Sequence, residues 1–299
     1  MDKELTDINA RDVHQWQIEM ESKDLKFRSI ECPFEKFTTM LNHAVKNGFI
    51  ESHQLDKVTL EKHQLSQDAI DSSNKRICLT KEQIANFFNA LDSYQEIKRT
   101  QRRNSRKHGR KYLLDLDTVE YVDHKKPWLL FMYYTGFRHG DIFGLQWEHI
   151  NFQNNTIRKV IEKTAHQCPE PKTFPIAKPL VNILKTWQKQ MGNPTSGLVF
   201  ISPKTNKRFN SKAMNDPWII LRELANLPKE LELYTLRHNF ASHLIINGAD
   251  LLSVSKLMSH ENIQTTIRYY GHLLPNQNKN LVDDFASMNL DEKEKKELL

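Results

Sequence analysis

The sequence predicts a mainly α-helical protein interrupted by one small β-sheet, an α+β fold. Three observations lead to this. Apolar residues recur at helical spacing along most of the chain. Two β-branched or alternating runs, NNTIRKVIEK and KTFPIAKPL, lie close together near its middle. No internal repeat or low-complexity block breaks the pattern. At 299 residues, 38% of them hydrophobic, the chain can bury a substantial core, and its length fits two domains.

Taken in order, DINARDVHQWQIEMESK opens on capping residues. FEKFTTMLNHAVKNGFI then sets Phe34, Phe37, Met40, Leu41 and Val45 at helical spacing before Gly48. These predict a small helical module. Residues 61–76, EKHQLSQDAIDSSNKR, are polar and aperiodic, which reads as a linker and puts a boundary near residue 72. The next helix starts at LTKEQIANFFNALDSY, with Thr80 as its cap and Gln83 at the capping-box position.

The segment KRTQRRNSRKHGRK carries eight cations and no acid: Lys98, Arg99, Arg102, Arg103, Arg106, Lys107, Arg110 and Lys111. Such a density repels itself unless it is solvated in a surface loop or set against phosphates, and both readings stand. After the apolar helix WLLFMYY comes TGFRHGDIFGLQWEHINF, a glycine-marked turn followed by a helix with Ile142, Leu145 and Trp147 that ends near INF. The two strands follow, the first opened by an Asn-Asn turn. Helices resume at LVNILKTWQKQM, and the charged tail DEKEKKELL, residues 291–299, is expected to fray. Trp147, Trp187 and Trp218 read as core residues.

Lys and Arg outnumber Asp and Glu by 43 to 37, giving a formal charge of +6 and a pI near 9.0, which favours a polyanionic partner. The cysteines Cys32, Cys78 and Cys168 are odd in number and far apart, so neither a disulfide framework nor a CxxC metal site is expected. The longest apolar run, PWLLFMYY at 127–134, is too short for a bilayer, and the amino terminus has no signal-peptide pattern. The expectation is a soluble cytoplasmic protein with no membrane contact.

The stretch YTLRHNFASHLIINGADLLSVSKLMSHENIQTTIRYYGHL concentrates Arg237, His260 and Tyr269. With Arg138 on a turn before a helix and Lys163 at the end of a strand, the candidate set consists of donors, cations and one phenol. It is unsuited to carboxylate hydrolysis or metal binding. It suits a phosphodiester, whose transition state gathers negative charge on its non-bridging oxygens. Two arginines can clamp that charge with forked hydrogen bonds. A tyrosine, with a pKa of about 10, needs such a cationic pocket and a proton acceptor to act as a nucleophile.

Over residues 75–275 the sequence resembles the tyrosine recombinases, or phage integrases. TGFRHGDIFGLQW resembles their first arginine box, with Arg138 as the catalytic arginine and Asp141 as the supporting acid. YTLRHNFASHLI resembles the second box, with Arg237 as its arginine. LMSHENIQTTIRYYGHL resembles the last box, in which a histidine precedes the nucleophilic tyrosine by nine residues, giving His260 and Tyr269.

The resemblance implies that Lys163 is the mobile lysine that protonates the leaving 5′ oxygen, with Lys172 as a competitor because the intervening loop is long. It also implies that Tyr234 stands at the family's usual histidine position, where a phenol can donate a hydrogen bond but carries no charge. Tyr270 rivals Tyr269, since adjacent helical residues point about 100° apart. His238 and His272 are read as structural, and His243 as meeting local hydrogen bonds.

On this resemblance, residues 1–72 form an incomplete helical core-binding domain, 73–290 the catalytic domain and 291–299 the tail. The chain starts too late for an arm-binding domain, so it is either amino-terminally short or a minimal two-domain form. The implied activity is site-specific recombination of double-stranded DNA attachment sites through a 3′-phosphotyrosyl bond, for integration or excision of a phage or mobile element. The implied assembly is a homotetramer on DNA with accessory DNA-bending proteins, nucleoid-associated, needing no cofactor and no metal. The eight basic residues at 98–111 would contact the DNA backbone. The alternatives are a type IB topoisomerase-like enzyme and a DNA-binding pseudo-recombinase without catalysis.

Overall fold

The computed structural model describes residues 3–25, 27–62, 78–162, 165 and 169–274. The chain divides into two compact units, residues 1–70 and 71–299. The linker reading at 61–76 falls mostly on residues outside those described, as do Lys163, Cys168 and the tail at 291–299.

The first unit is built on α1 (Ala10–Ser22) and α2 (Phe27–Lys46). Asn9 caps α1 in a capping box with Asp12, which satisfies amide donors the helix leaves open. Val13, Phe34, Leu41 and Leu55 make its small core. Met40, expected on the apolar face, is 52% exposed. Buried Gln17 pairs with the Glu61 backbone twice: its Nε2 donates to the carbonyl at 2.6 Å and its Oε1 accepts the amide at 3.1 Å. A buried amide side chain is thereby satisfied, and residue 61 is tied to α1.

The second unit opens on α3 (Lys81–Lys107), capped by Thr80 with Gln83 closing the capping box as the spacing predicts. The helices α4 (Lys125–Thr135) and α5 (His139–Phe143) follow. The sheet comprises β1 (Ile150–Asn151), β2 (Thr156–Lys159) and β3 (Lys172–Pro175), antiparallel in the order β1-β2-β3. Ile150 faces Ile157, and Ile157 faces Phe174. The predicted helix end at INF is therefore a strand. The α5 helix stops at Gly144 and a 3-10 turn at Trp147–His149 leads straight into β1. The turn into β2 works as expected: the Asn151 side chain accepts the amides of Gln153 and Asn154, and Asn155 takes a φ of 50°.

Among the described residues five further α-helices follow: α6 (Lys178–Gln190), α7 (Asn215–Leu224), α8 (Thr235–Ile246), α9 (Leu251–Leu257) and α10 (Ile263–Tyr270). The α3 helix packs on α7, α4 on α8 and α6, and α9 on α10. The main core is centred on Trp128, Phe131, Phe87, Phe143 and Phe200. Trp147, Trp187 and Trp218 are buried, and the last two donate their indole N–H to Val199 and Leu231 carbonyls. A smaller cluster of Ala241, Ile245, Val254, Met258 and Tyr270 joins α8, α9 and α10.

Candidate active site

Arg138 owes its position to the end of α4. Gly136 adopts a left-handed φ of 62° and its amide bonds back to Met132 at 2.8 Å, turning the chain. Arg138 then stands in extended conformation at the cap of α5. Its Nη2 donates to the Ser259 carbonyl at 3.4 Å. Its Nη1 is buried and has no partner among the described residues.

Arg237, near the start of α8, is 2% exposed. One guanidinium nitrogen donates to the Gly136 carbonyl and the other to that of Met258. Arg138 and Arg237 thus hold consecutive carbonyls, Ser259 and Met258, of the turn that delivers His260. Ser259 takes a φ of 50° in that turn, and the His260 amide bonds to Ser255 at 3.0 Å. The His260 Nδ1 meets the Thr266 hydroxyl of α10 at 2.7 Å. Three of the five predicted residues therefore share one turn. Burial is the main cause that lowers the Arg237 pKa to about 10; Tyr234 opposes it and Arg138 adds to it, and the group stays cationic at neutral pH.

The two adjacent tyrosines of α10 have different surroundings. Tyr270 is 1% exposed and its hydroxyl lies 2.6 Å from His238 Nδ1, so this pair links α10 to α8. Tyr269 is half-buried at the edge of the small cluster, with the Arg268 guanidinium 5.8 Å from its ring centre. Tyr234 is half-buried before α8. Its ring lies 5.0 Å from that of His238 and 5.9 Å from that of His139, and the Arg237 guanidinium is 5.9 Å from its centre.

Asp141 is 3% exposed and joins α5 to the end of β2. Its Oδ1 accepts the Glu162 amide at 3.0 Å, and its carbonyl accepts Lys159 Nζ at 2.6 Å. Lys159 is itself buried, and burial lowers its pKa against the pull of Asp141. Arg208 adds a bond to Glu162 at 2.6 Å and one to the Gly140 carbonyl at 2.8 Å. The chain is thus anchored up to the residue before Lys163, which lies outside the described residues. Lys172 is half-buried at the start of β3, paired across the ladder with Lys159.

Sequence reasoning passed over Lys159, Glu162, Arg208 and His139. For Lys159 a signal existed: it shares the inward phase of β2 with Ile157.

The basic segment is not a loop over most of its length; it is the last turns of α3, and it divides in two. Arg99 donates to the carbonyls of Leu116, Val119 and Glu120, and Arg102 to that of Leu114. Arg103 grips Asp117 with two bonds and reaches Glu96, and Arg106 holds the carbonyls of Lys111 and Leu113. These four arginines pin the 111–120 connection to α3. Lys98 lies over the Tyr94 ring at 5.6 Å. Lys107, Arg110 and Lys111 are exposed.

Residues 78–277 match the phage integrase family. The chain belongs to that family. Among curated integrase-family relatives, it is 28% identical to a XerC-like tyrosine recombinase of Caldanaerobacter subterraneus, over 53% of this chain and 48% of the relative. It is 29% identical to the tyrosine recombinase XerD of Staphylococcus aureus, over 52% of each. The chain spans about half the length of these relatives.

Three solved structures of integrase-family proteins share the fold. The Tn1549 transposon integrase in complex with transposon right-end DNA matches with a TM-score of 0.66 at 17% identity, covering 95% of this chain and 88% of that one. XerH recombinase bound to a palindromic difH substrate matches at 0.65 and 14%, over 96% and 74%. A lambda integrase dimer bound to a core site matches at 0.61 and 13%, over 90% and 82%.

Proposed function

We propose that this integrase-family chain is a site-specific DNA recombinase that cleaves and rejoins strands through a 3′-phosphotyrosyl intermediate. The observation that carries the reading is the convergence of Arg138 and Arg237 on the turn that presents His260.

In this mechanism Arg138, Arg237 and His260 hold the scissile phosphate, with Tyr234 as a neutral hydrogen-bond donor. The Tyr269 hydroxyl oxygen attacks phosphorus as its proton passes to solvent, a phosphotyrosyl bond forms and the bond to the 5′ oxygen breaks. Lys163 gives its proton to that oxygen, which leaves as a 5′-hydroxyl. Attack by the 5′-hydroxyl of a partner strand reverses the sequence. The phosphotyrosyl bond conserves the phosphodiester linkage, so the reaction consumes no nucleotide. Loss of one donor to the developing charge slows such a step by about 10²–10³-fold.

Residues 1–72 would also contact the duplex, and four protomers would join two attachment sites with DNA-bending helpers. Integration or excision of a phage or mobile element is the biological setting this chemistry fits. The test is single-turnover cleavage of nicked duplexes, in which Arg138→Ala and Arg237→Ala each abolish the covalent adduct. A protein that binds these duplexes tightly and never becomes attached is a non-catalytic binder instead, the reading that the phenol of Tyr234 would favour.

A further inference from the structure

Two buried side-chain nitrogens on consecutive residues, Arg138 Nη1 and His139 Nε2, lack any hydrogen-bond partner among the described residues. A buried polar nitrogen left unpaired is costly, so two of them on consecutive residues point to a ligand that completes the structure. The His139 ring is held from two sides. Trp128, fully buried, lies 5.8 Å away centre to centre, and Tyr234 meets it edge-on at 5.9 Å. His139 and Tyr234 both line a cleft of about 560 Å³, together with Asn215, Ser211 and Arg222. The ring is thus fixed, partly accessible and close to the arginine pair. Burial, and next Arg237, lower its pKa, so at neutral pH the imidazole is uncharged and offers one N–H.

We propose that His139 is a further phosphate-binding residue: its Nε2–H donates to a non-bridging oxygen of the strand phosphate that Arg138 Nη1 also binds. The contact rests on the proposed strand-cleavage reading and deepens it. It places an imidazole beside Tyr234, where the phenol cannot supply one, and it uses both unpaired donors at once. Glu232 and Arg222 line the same cleft, one acid and one cation.

Two measurements test it. In the first, the imidazole ¹⁵N resonances of His139 are followed as orthovanadate, a mimic of the pentacoordinate phosphate, is added to the intact chain. The expected result is a shift of the Nε2 resonance that saturates and disappears in Arg138→Ala; an unmoved resonance overturns the proposal. In the second, His139→Phe keeps the ring packing and removes the donor. Adduct formation should slow about tenfold or more with duplex affinity within twofold of the parent, and Tyr234→His added to it should restore most of the rate. A rate within twofold of the parent, or no rescue, overturns the proposal. If the parent protein forms no adduct while the vanadate shift occurs, the phosphate contact holds and the cleavage reading falls.

Discussion

Replacing Gly136 by alanine strikes the point where the turn after α4, the packing of α8 and the hold on Arg237 coincide. An alanine at a φ of 62° costs about 1–2 kcal/mol, because its Cβ crowds the following carbonyl. The new Cβ would also lie 2.7 Å from Phe240 Cδ1 and 3.2 Å from Phe240 Cβ. The ring cannot simply swing aside when its own Cβ is also close, so overpacking adds about 1–3 kcal/mol.

The sum is roughly 2–5 kcal/mol. At about 2–4 °C per kcal/mol for a domain of this size, the melting temperature should fall by about 4–20 °C. Thermal unfolding followed by circular dichroism measures this. Adding Phe240→Ala should make the double variant less destabilised than the sum of the two single changes, because they share one clash. A Gly136→Ala protein within about 0.5 kcal/mol of the parent, or strictly additive effects, would refute the argument.

Further predictions concern charge, burial and pH. Alanine at Lys107, Arg110 or Lys111 should each reduce the salt dependence of DNA binding by about one unit of slope in log K against log salt. Arg103→Ala should leave that slope unchanged and increase proteolysis within 111–120, where its grip on Asp117 is lost; nitrocellulose filter binding over a salt series and limited proteolysis check both. Tyr270→Phe should cost about 0.5–1.5 kcal/mol in urea unfolding, because half-buried His238 loses a 2.6 Å hydrogen bond, whereas Tyr269→Phe should cost under about 0.5 kcal/mol.

His124 supplies the pH dependence. Burial lowers its pKa from 6.5 to about 4, so the unfolded chain binds the proton more readily than the folded one. Its contribution is complete above pH 6.5 and is lost as pH falls towards 4, by roughly 3 kcal/mol in all. The parent should lose urea resistance between pH 6.5 and 4 more steeply than His124→Gln; equal slopes would show that another group is responsible.

Where local chemistry decides the outcome, the sequence was legible. The Thr80–Gln83 capping box, the Asn-Asn turn before β2 and the burial of three tryptophans all follow from residue type and spacing. Of the site residues, Arg138, Arg237 and His260 do meet, although 99 residues of chain separate the two arginines and no periodicity encodes their meeting. What escaped was decided by long-range pairing. The strand at Ile150–Asn151 forms only because Ile157 and Thr156 lie opposite it, and its two residues carry no pattern of their own. The division of the basic segment depends on carbonyls and acids up to 21 residues further on, which the run of cations does not reveal. His139 was passed over because its place between Trp128 and Tyr234 is a property of three separated segments.

On the proposed mechanism Tyr269 is the nucleophile of an arginine-clamped phosphodiester site. The most direct measurement incubates the parent, Tyr269→Phe and Tyr270→Phe with a library of nicked suicide duplexes and resolves the products on a denaturing gel. A protein–DNA adduct is expected with the parent and with Tyr270→Phe, and none with Tyr269→Phe. An adduct that survives Tyr269→Phe, or a parent that binds the duplexes without ever becoming attached, would contradict it.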